Sequence, residues 1–303
     1  MRVLDNVIGV GLVALFCILL MGFATRVTDY HIPSFEVGAA AGWLNVDDGR
    51  SHPMKGAFTV NKFGHNQDSD TTADSVSDVS DFGGPIRCFT VPGSTAAALY
   101  LSSDDENDGS DNDGISITVE YINASYESKS VDVALGAASA GGTVFVQIGS
   151  ETIFWINRMY PTSTASSGNI YAGIDSTDGN ADGIPDTPLT DLVSVIDLVE
   201  QQTMSACYMI PDNFDGLLYQ FTVSNVDVAA NAAATFRLVR TVEFGASRTV
   251  EPVHIAEKVT ENIEHTLPIR FTEKTAIEIT NTSSANNATV TGTFDLLLIP
   301  NGS

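Results

Sequence analysis

Apolar and polar side chains alternate residue by residue along much of this chain, and this pattern limits the possible folds more than any other feature. The clearest segment is Ile115–Ile122 (ISITVEYI), where apolar positions alternate with Ser116, Thr118 and Glu120. Successive side chains of a β-strand point to opposite faces of its sheet. The segment is therefore predicted to be a strand with one buried face, which is typical of antiparallel sheets.

Similar segments recur from Pro33 to the end of the chain, separated by Gly, Asn, Asp and Ser. The predicted strands are Ala57–Lys62, Ile86–Val91, Ala97–Leu101, Ile115–Ile122, Ser130–Leu135, Thr143–Ile148, Ile153–Met159, Asn169–Ile174, Met204–Ile210, Leu217–Val223, Thr235–Val242, Thr249–Ile255, Glu264–Phe271, Ala276–Asn281 and Thr289–Ile299. One helix is predicted after Pro33, at Leu189–Gln202, because Leu192, Val195, Ile196 and Val199 share one helical face.

The number of strands predicts the architecture. Seven or eight in each half of the chain are typical of a β-sandwich or jelly roll. The Ser/Thr-rich segment Pro161–Gly168 separates the two halves. We therefore predict an all-β protein with two tandem β-sandwich or jelly-roll domains, at residues 31–162 and 163–303, preceded by an N-terminal hydrophobic helix at residues 1–30.

The N-terminal segment Val7–Ala24 carries no charge over 18 residues. This length is at the short end for a helix that spans a bilayer. It also suits the apolar region of a signal peptide, with Gly22-Phe23-Ala24 as a cleavage site. We favour a retained helix, which contacts a membrane through residues 7–24 or is buried in an assembly, with Arg26 as an interfacial anchor.

The charge balance excludes one class of partner. The chain has 38 Asp and Glu residues against 14 Lys and Arg, which gives a formal net charge of −24. Binding to nucleic acid requires clustered cations that neutralise phosphates. We therefore expect no nucleic-acid partner. The acidity suits either solubility alone or a saline, divalent-rich setting in which cations bind the surface.

The acidic segment DSTDGNADGIPD, at residues 175–186, has the spacing of a calcium loop. Calcium prefers six to eight oxygen ligands, which alternate acidic or amide side chains can supply around a Gly turn. The final bidentate Glu of an EF-hand is missing, so a lone loop is predicted rather than an EF-hand. An open alternative is a turn that satisfies its own backbone. The candidate ligands are Asp178, Asn180, Asp182, Asp186 and the carbonyl of Ile184.

A second acidic segment, Asp104–Gly114 (DDENDGSDNDG), matches a calcium loop less well. Asp111 and Asp113 have suitable spacing before Gly114, but Gly109 stands where the leading acid belongs. For this segment the interpretation as a turn that binds its own backbone is favoured.

The cysteines give no metal-binding or disulfide pattern. Cys17 lies in the apolar N-terminal run, and Cys88 and Cys207 can pair only if two distant strands meet. We interpret Cys88 and Cys207 as small buried core residues.

No catalytic motif occurs in the sequence, so we do not expect an enzyme. The histidines at 31, 52, 65, 254 and 265 show no ligand spacing, and no nucleophile elbow, Walker loop or zinc-protease motif is present. Trp155 lies in the apolar run IFWI, where a core role is favoured over stacking on a sugar.

Several short segments, in order and spacing, resemble an uncharacterised structural protein family of marine tailed bacteriophages. They span roughly residues 55 to 300 and include KFGHN at 62–66, FGG at 82–84, TVEYINASY at 118–126, INRM at 156–159, QTM at 202–204 and LPI at 267–269. The resemblance implies a role on the virion as a decoration protein, spike, fibre or part of the capsid shell.

The functional prediction follows from this resemblance and from the missing chemistry. We predict a virion structural protein that acts by symmetric self-assembly, as a trimer or larger homo-oligomer, in contact with other virion proteins. The alternative is an exported, extracellular or membrane-anchored cell-surface β-sandwich binding module or cell-layer protein.

Overall fold

The computed structural model describes residues 56–69, 72, 74–77, 88, 96–139, 141–162, 164–174, 192–226, 233–242, 248–255, 259–284 and 288–301. The predicted N-terminal helix at residues 1–30, with its membrane contact at 7–24, lies outside these residues. Within them, we find no helix with the length and apolarity that crossing a bilayer requires.

The described residues form 18 strands and a short 3-10 helix at Glu106–Asp108. This confirms the predicted all-β class. The strands are β1 Phe58–Ser69, β2 Asp74–Ser75, β3 Tyr100–Ser103, β4 Ser116–Asn123, β5 Ser128–Ala134, β6 Ala138–Ser139, β7 Gly142–Thr143, β8 Val146–Gln147, β9 Ile153–Pro161, β10 Ile170–Gly173, β11 Leu192–Ile196, β12 Cys207–Met209, β13 Phe214–Asn225, β14 Ala234–Val242, β15 Arg248–Ile255, β16 Thr260–Phe271, β17 Thr275–Ser283 and β18 Ala288–Pro300.

The predicted helix at Leu189–Gln202 is wrong. Its central part is β11, which pairs with β10, and a turn follows. All five residues of β11 are buried, so the segment needs cover on both faces, which a helix with one apolar face does not require. The Asp197 side chain accepts a hydrogen bond from the Val199 N–H at 2.6 Å, which stabilises the turn and leaves Val199 exposed.

Four antiparallel sheets contain most of the strands. Two of them combine strands from the two ends of the described chain, in the orders β1-β18-β13-β16 and β12-β17-β14-β15, with β2 added to β17. We call this pair the flanking sandwich. The other two sheets, β11-β10-β3-β8 and β5-β4-β9, contain only strands that lie between β2 and β12 in sequence. We call them the inserted sandwich.

Each sandwich has its own apolar core. The core of the flanking sandwich contains Phe221 of β13 and Phe294 of β18, which lie in one sheet, together with Phe236 of β14 and Ile279 of β17 from the other. These side chains are fully buried. Because both sheets contribute to one cluster, the two layers pack face to face.

The core of the inserted sandwich also draws on two sheets. Leu101 of β3 and Ile170 of β10 come from one, and Ile117 of β4 and Trp155 of β9 come from the other. The buried position of Trp155 confirms its predicted core role.

The two cores are nested along the chain, whereas a tandem order was expected. Strand β1 pairs with β18, and β2 pairs with β17, so strands before residue 162 belong to both sandwiches. The ranges 31–162 and 163–303 therefore do not coincide with the two cores. Pairing of strands that are far apart in sequence depends on long-range packing, which the composition of the segment at 161–168 does not report.

Strand β12 explains how the two cores meet. Cys207 and Met209 belong to the inserted core, while Ala206, Tyr208 and Ile210 belong to the flanking core. Since side chains alternate along a strand, one short segment fills both cores from its two faces. The sheet that contains β12 therefore lies between the two cores.

The chain enters and leaves the inserted sandwich at one place, which we call the neck and define by Val76, Ser77, Ser205 and Ala206. Ser77 and Ser205 form a β-bridge, and their hydroxyl oxygens are 2.6 Å apart. The Ala206 N–H donates to the Val76 carbonyl at 2.9 Å. The neck thus holds the entering and leaving segments side by side.

A disulfide between Cys88 and Cys207 lies close to the neck in sequence. Both residues are buried in the core, as predicted. Two distant segments do meet here, so the cysteines also pair, although the sequence shows no disulfide pattern. They are 119 residues apart, and they meet because the chain returns to β12 after completing the inserted sandwich. Only the nested topology brings the two positions together.

Candidate functional site

The predicted calcium ligands at 178, 180, 182, 184 and 186 lie outside the described residues, so the calcium loop stays a prediction. The strands on either side are described. Strand β10 ends at Gly173, β11 begins at Leu192, and the two pair with each other.

The second acidic segment, Asp104–Gly114, is described in full, and its central acid is Asp108. This side chain is completely buried. Its carboxylate accepts hydrogen bonds from the Ser103 hydroxyl at 2.5 Å, the Ser167 N–H at 2.7 Å and the Gly168 N–H at 3.1 Å. A carboxylate with three such donors is satisfied by the protein itself.

Two neighbouring acids act in the same way. Asp104 accepts from the Asn169 N–H at 2.7 Å and from the Tyr171 hydroxyl at 3.0 Å. Asp111, further along, accepts from the Ala138 N–H at 2.6 Å. The carboxylates of this segment thus hold the backbone of adjacent loops, in agreement with its interpretation as a turn.

A buried cluster of donor atoms lies at the disulfide. One carboxylate oxygen of Glu278 and the sulfurs of Cys88 and Cys207 all lie within 4.8 Å of one another. The two sulfurs are bonded to each other, so they do not serve as thiolate ligands. Glu278 accepts a hydrogen bond from the Ser75 hydroxyl at 2.7 Å. We therefore interpret this cluster as part of the packed junction between the two sandwiches.

A polar cleft lies between β1 of the flanking sandwich and β9 of the inserted sandwich. It consists of two adjoining cavities of about 320 and 310 Å³, and both are lined by Asn61, Lys62 and Arg158. Strand β1 is at the end of its sheet, so the cleft runs along a sheet edge. Each cavity is at the lower end of the size range of ligand pockets.

Two cations meet in this cleft, and each is held in place. The Arg158 guanidinium lies over the Tyr160 ring, 4.7 Å from its centroid, and donates to the Gln202 side-chain oxygen at 3.1 Å. The Lys62 ammonium donates to the Asn157 carbonyl at 2.5 Å. Lys62 is buried whereas Arg158 is exposed, so the guanidinium is the more accessible charge.

The remaining walls combine aromatic and acidic groups. Phe58 lines one cavity and Phe63 the other, and these rings are 42% and 37% exposed. Glu120 and Tyr208 line the cavity that contains Phe58. Burial, and to a smaller extent the charge of Glu120, raises the pKa of Tyr208 well above its usual value of 10.0. The tyrosine hydroxyl is thus neutral at physiological pH.

Sequence reasoning did not find this cleft, because its walls come from strands that lie about a hundred residues apart. One signal was present. The segments at 62–66, 118–126, 156–159 and 202–204, which carry the family resemblance, all contribute residues to the cleft. When segments far apart in sequence carry the same family resemblance, they can lie together at one site of the fold.

Comparisons with known proteins identify no family. No protein-family model matches the chain, and no curated protein matches it. Among solved structures, the chain is 10% identical to that of the infectious bursal disease virus VP2 subviral particle, covering 82% of this chain and 72% of that chain with a TM-score of 0.18. For the Gx strain of the same virus, identity is 10%, coverage is 81% of each chain and the TM-score is 0.15. At these TM-scores the likeness carries no argument, and the resemblance to marine phage proteins stays a prediction.

Proposed function

We propose that the chain is a virion structural protein that works by symmetric self-assembly with copies of itself and with other virion proteins. Its role is to present a folded β surface in an array, and not to catalyse a reaction. Two nested β-sandwich cores in the described residues support such a role.

The observation that carries this proposal is the edge position of β16, which has a paired neighbour on one side only among the described residues. The strand is 12 residues long, ends its sheet and is mostly exposed along its length. Leu267 on this strand is 83% exposed. A long edge strand offers unpaired backbone groups to another chain. Because Pro268 lacks an N–H, the stretch before it is the better template for pairing.

The decisive experiment asks whether purified particles contain this chain in stoichiometric, symmetry-related copies. Electron cryomicroscopy of the particles, with quantitative mass spectrometry of their proteins, gives the answer. Regular copies support the proposal. A chain that is absent from particles and found as a soluble monomer contradicts it.

A matched pair of variants tests the β16 edge. Leu267→Lys is expected to reduce assembly at least about tenfold, because a charge at a buried interface costs well over 1.4 kcal/mol. Val199→Lys is the control, since Val199 is also 83% exposed but lies in a turn of the inserted sandwich. Mass photometry of both variants shows the outcome. If both variants lose assembly to the same extent, or if neither variant loses it, the result contradicts an interface at β16.

Calcium binding at Asp178–Asp186 and membrane contact through residues 7–24 belong to the same proposal. In it, cations bridge acidic loops, and the N-terminal segment tethers the chain to a membrane or to the interior of the assembly. Thermal unfolding with and without a chelator tests calcium binding. A midpoint that the chelator leaves unchanged contradicts it. Flotation with lipid vesicles, with and without residues 1–24, tests the membrane contact.

One observation favours the alternative class, a cell-surface binding module. The polar cleft between β1 and β9 has exposed aromatic rings and fixed cations, which are features of ligand sites. A monomeric chain that binds a ligand in this cleft supports the alternative, whereas a chain that both assembles and binds is a virion protein with a receptor-type site.

A further inference from the structure

We propose that the cleft between β1 and β9 binds a carboxylated sugar, with Arg158 and Lys62 facing the carboxylate. This inference goes beyond a structural role and does not depend on it. A soluble monomer and an assembled particle can both carry the site. Its support comes from the charge, the acid and the aromatic rings in the cleft.

Cationic side chains are scarce in this chain. The chain has only 14 Lys and Arg residues and a net charge of −24, so two cations in one cleft stand out from the surrounding surface. Within the described part of the chain, no carboxylate forms an ion pair with Arg158. Its ring contact with Tyr160 and its bond to Gln202 fix the guanidinium plane. A guanidinium has five N–H donors, so donors remain for a bidentate carboxylate.

Glu120 narrows the class of ligand. It lines the same cavity as Lys62 and Arg158. A ligand with dense negative charge, such as a polyphosphate, would be repelled by this carboxylate at close range. A ligand with one carboxylate and several hydroxyl groups is not, because the hydroxyl groups donate to Glu120 while the cations bind the acid. Uronic acids have this combination of groups.

The aromatic rings and amides complete the argument. Phe58 and Phe63 are five residues apart on β1, about 17 Å for an extended strand. Because this spacing is odd, the two rings point to opposite faces of β1. Each lines its own cavity, so a sugar in one cavity meets one exposed ring. Asn61, common to both cavities, can supply a donor and an acceptor to hydroxyl groups. The site thus suits a sugar acid, which combines a carboxylate, hydroxyl groups and an apolar ring face.

The test uses the full chain and two acidic oligosaccharides that carry one uronate each, glucuronosylxylobiose and galacturonosylrhamnose, measured by isothermal titration calorimetry and ligand-observed NMR. The methyl ester of each probe is the matched neutral ligand. We expect at least one acidic probe to bind, and its ester to bind at least about tenfold more weakly. The proposal is overturned if neither acid binds, or if acid and ester bind equally.

Variants then locate the site. Arg158→Gln is expected to weaken binding of the acid at least about tenfold, and Arg158→Lys to weaken it less, because charge remains but the fork is lost. Arg270→Gln is the control. It removes the same charge from an exposed residue on β16, beside Asp215 and outside the cleft. An equal loss for Arg158→Gln and Arg270→Gln would mean a non-specific charge effect and would overturn the site. Circular dichroism confirms that each variant is folded.

Discussion

The two sandwiches are stabilised in different ways. The flanking sandwich has long strands, such as β13 with 12 residues and β18 with 13, which form continuous backbone ladders. In the inserted sandwich, β3 and β10 have four residues each and β8 has two. Short strands supply few ladder bonds, so other contacts have to fix this sheet, whereas β4, β5 and β9 of the opposite sheet have 8, 7 and 9 residues.

Acidic side chains supply those contacts. Asp104 and Asp108 bind the backbone between Ser167 and Asn169, and Asp105 accepts from the Asn107 N–H at 2.8 Å. Hydrogen bonds to a charged acceptor are stronger than neutral ones. Some of the acidity of this chain is therefore structural, because carboxylates beside the short-stranded sheet of the inserted sandwich have the role that backbone ladders have in the longer sheets.

The largest expected effect comes from the core of the flanking sandwich. Phe221→Ala is expected to lower the free energy of unfolding by about 3–5 kcal/mol, since a fully buried aromatic ring leaves a cavity. Leu101→Ala in the inserted core is the matched variant, with an expected loss of about 2–5 kcal/mol. Because β12 fills both cores, both variants should shift one common transition in urea. Two transitions, each sensitive to one variant, would show that the sandwiches unfold independently.

The next largest loss of stability is expected from removal of the disulfide, which also tests whether the two sandwiches unfold together. Replacing Cys88 and Cys207 by Ala is expected to cost about 2–4 kcal/mol, because a link across 119 residues restricts the unfolded chain. The measurement is denaturation of the double variant beside the oxidised parent. A reducing agent should lower the stability of the parent and leave the variant unchanged. If the double variant is as stable as the oxidised parent, the link does not hold the sandwiches together.

Asp108→Ala tests the role of carboxylates in the inserted sandwich. The change leaves three donors without their acceptor and should cost about 2–3 kcal/mol. Asp111→Ala, which removes one exposed bond to the Ala138 N–H, should cost less than about 1 kcal/mol. Hydrogen exchange should become faster at the Ser167 and Gly168 amides in the first variant only. Equal exchange in the two variants would contradict the proposed role of Asp108.

The smallest effect is expected at alkaline pH and concerns the strand that both cores share. Burial raises the pKa of Tyr208, so the folded chain keeps a proton that the unfolded chain releases near pH 10. This contribution to stability is complete below pH 10 and is lost as the pH rises towards the folded-state pKa. Tyr208→Phe should therefore lose less stability than the parent between pH 9 and 11. A stability curve of Tyr208→Phe that runs parallel to that of the parent over this range would contradict the role of Tyr208.

The strands could be predicted from the sequence because their signal is local. In Ile115–Ile122, one buried face produces an alternation that any reader of the sequence can see. Leu192–Ile196 lacks this signal because both faces of the strand are buried, so its apolar pattern also fits one face of a helix. A pattern reports how many faces are covered, and only indirectly which element covers them.

Contacts between distant segments could not be predicted in this way. The pairing of Cys88 with Cys207, the pairing of β1 with β18 and the cleft around Arg158 all depend on where the chain returns after the inserted sandwich. The packing of β12 between two cores determines that return. No single segment of the sequence predicts this packing. The candidate calcium ligands, by contrast, rest on a local spacing, and their prediction needs no knowledge of the fold.

The neck has a consequence for how such a protein can change. Since Val76 and Ala206 are bonded neighbours, the intervening residues form a cassette whose two ends coincide. Domains tolerate insertion best where the ends of the guest lie close together. The flanking sandwich can thus keep its own strand pairs while another domain replaces the inserted one, provided that the replacement covers Cys207 and Met209.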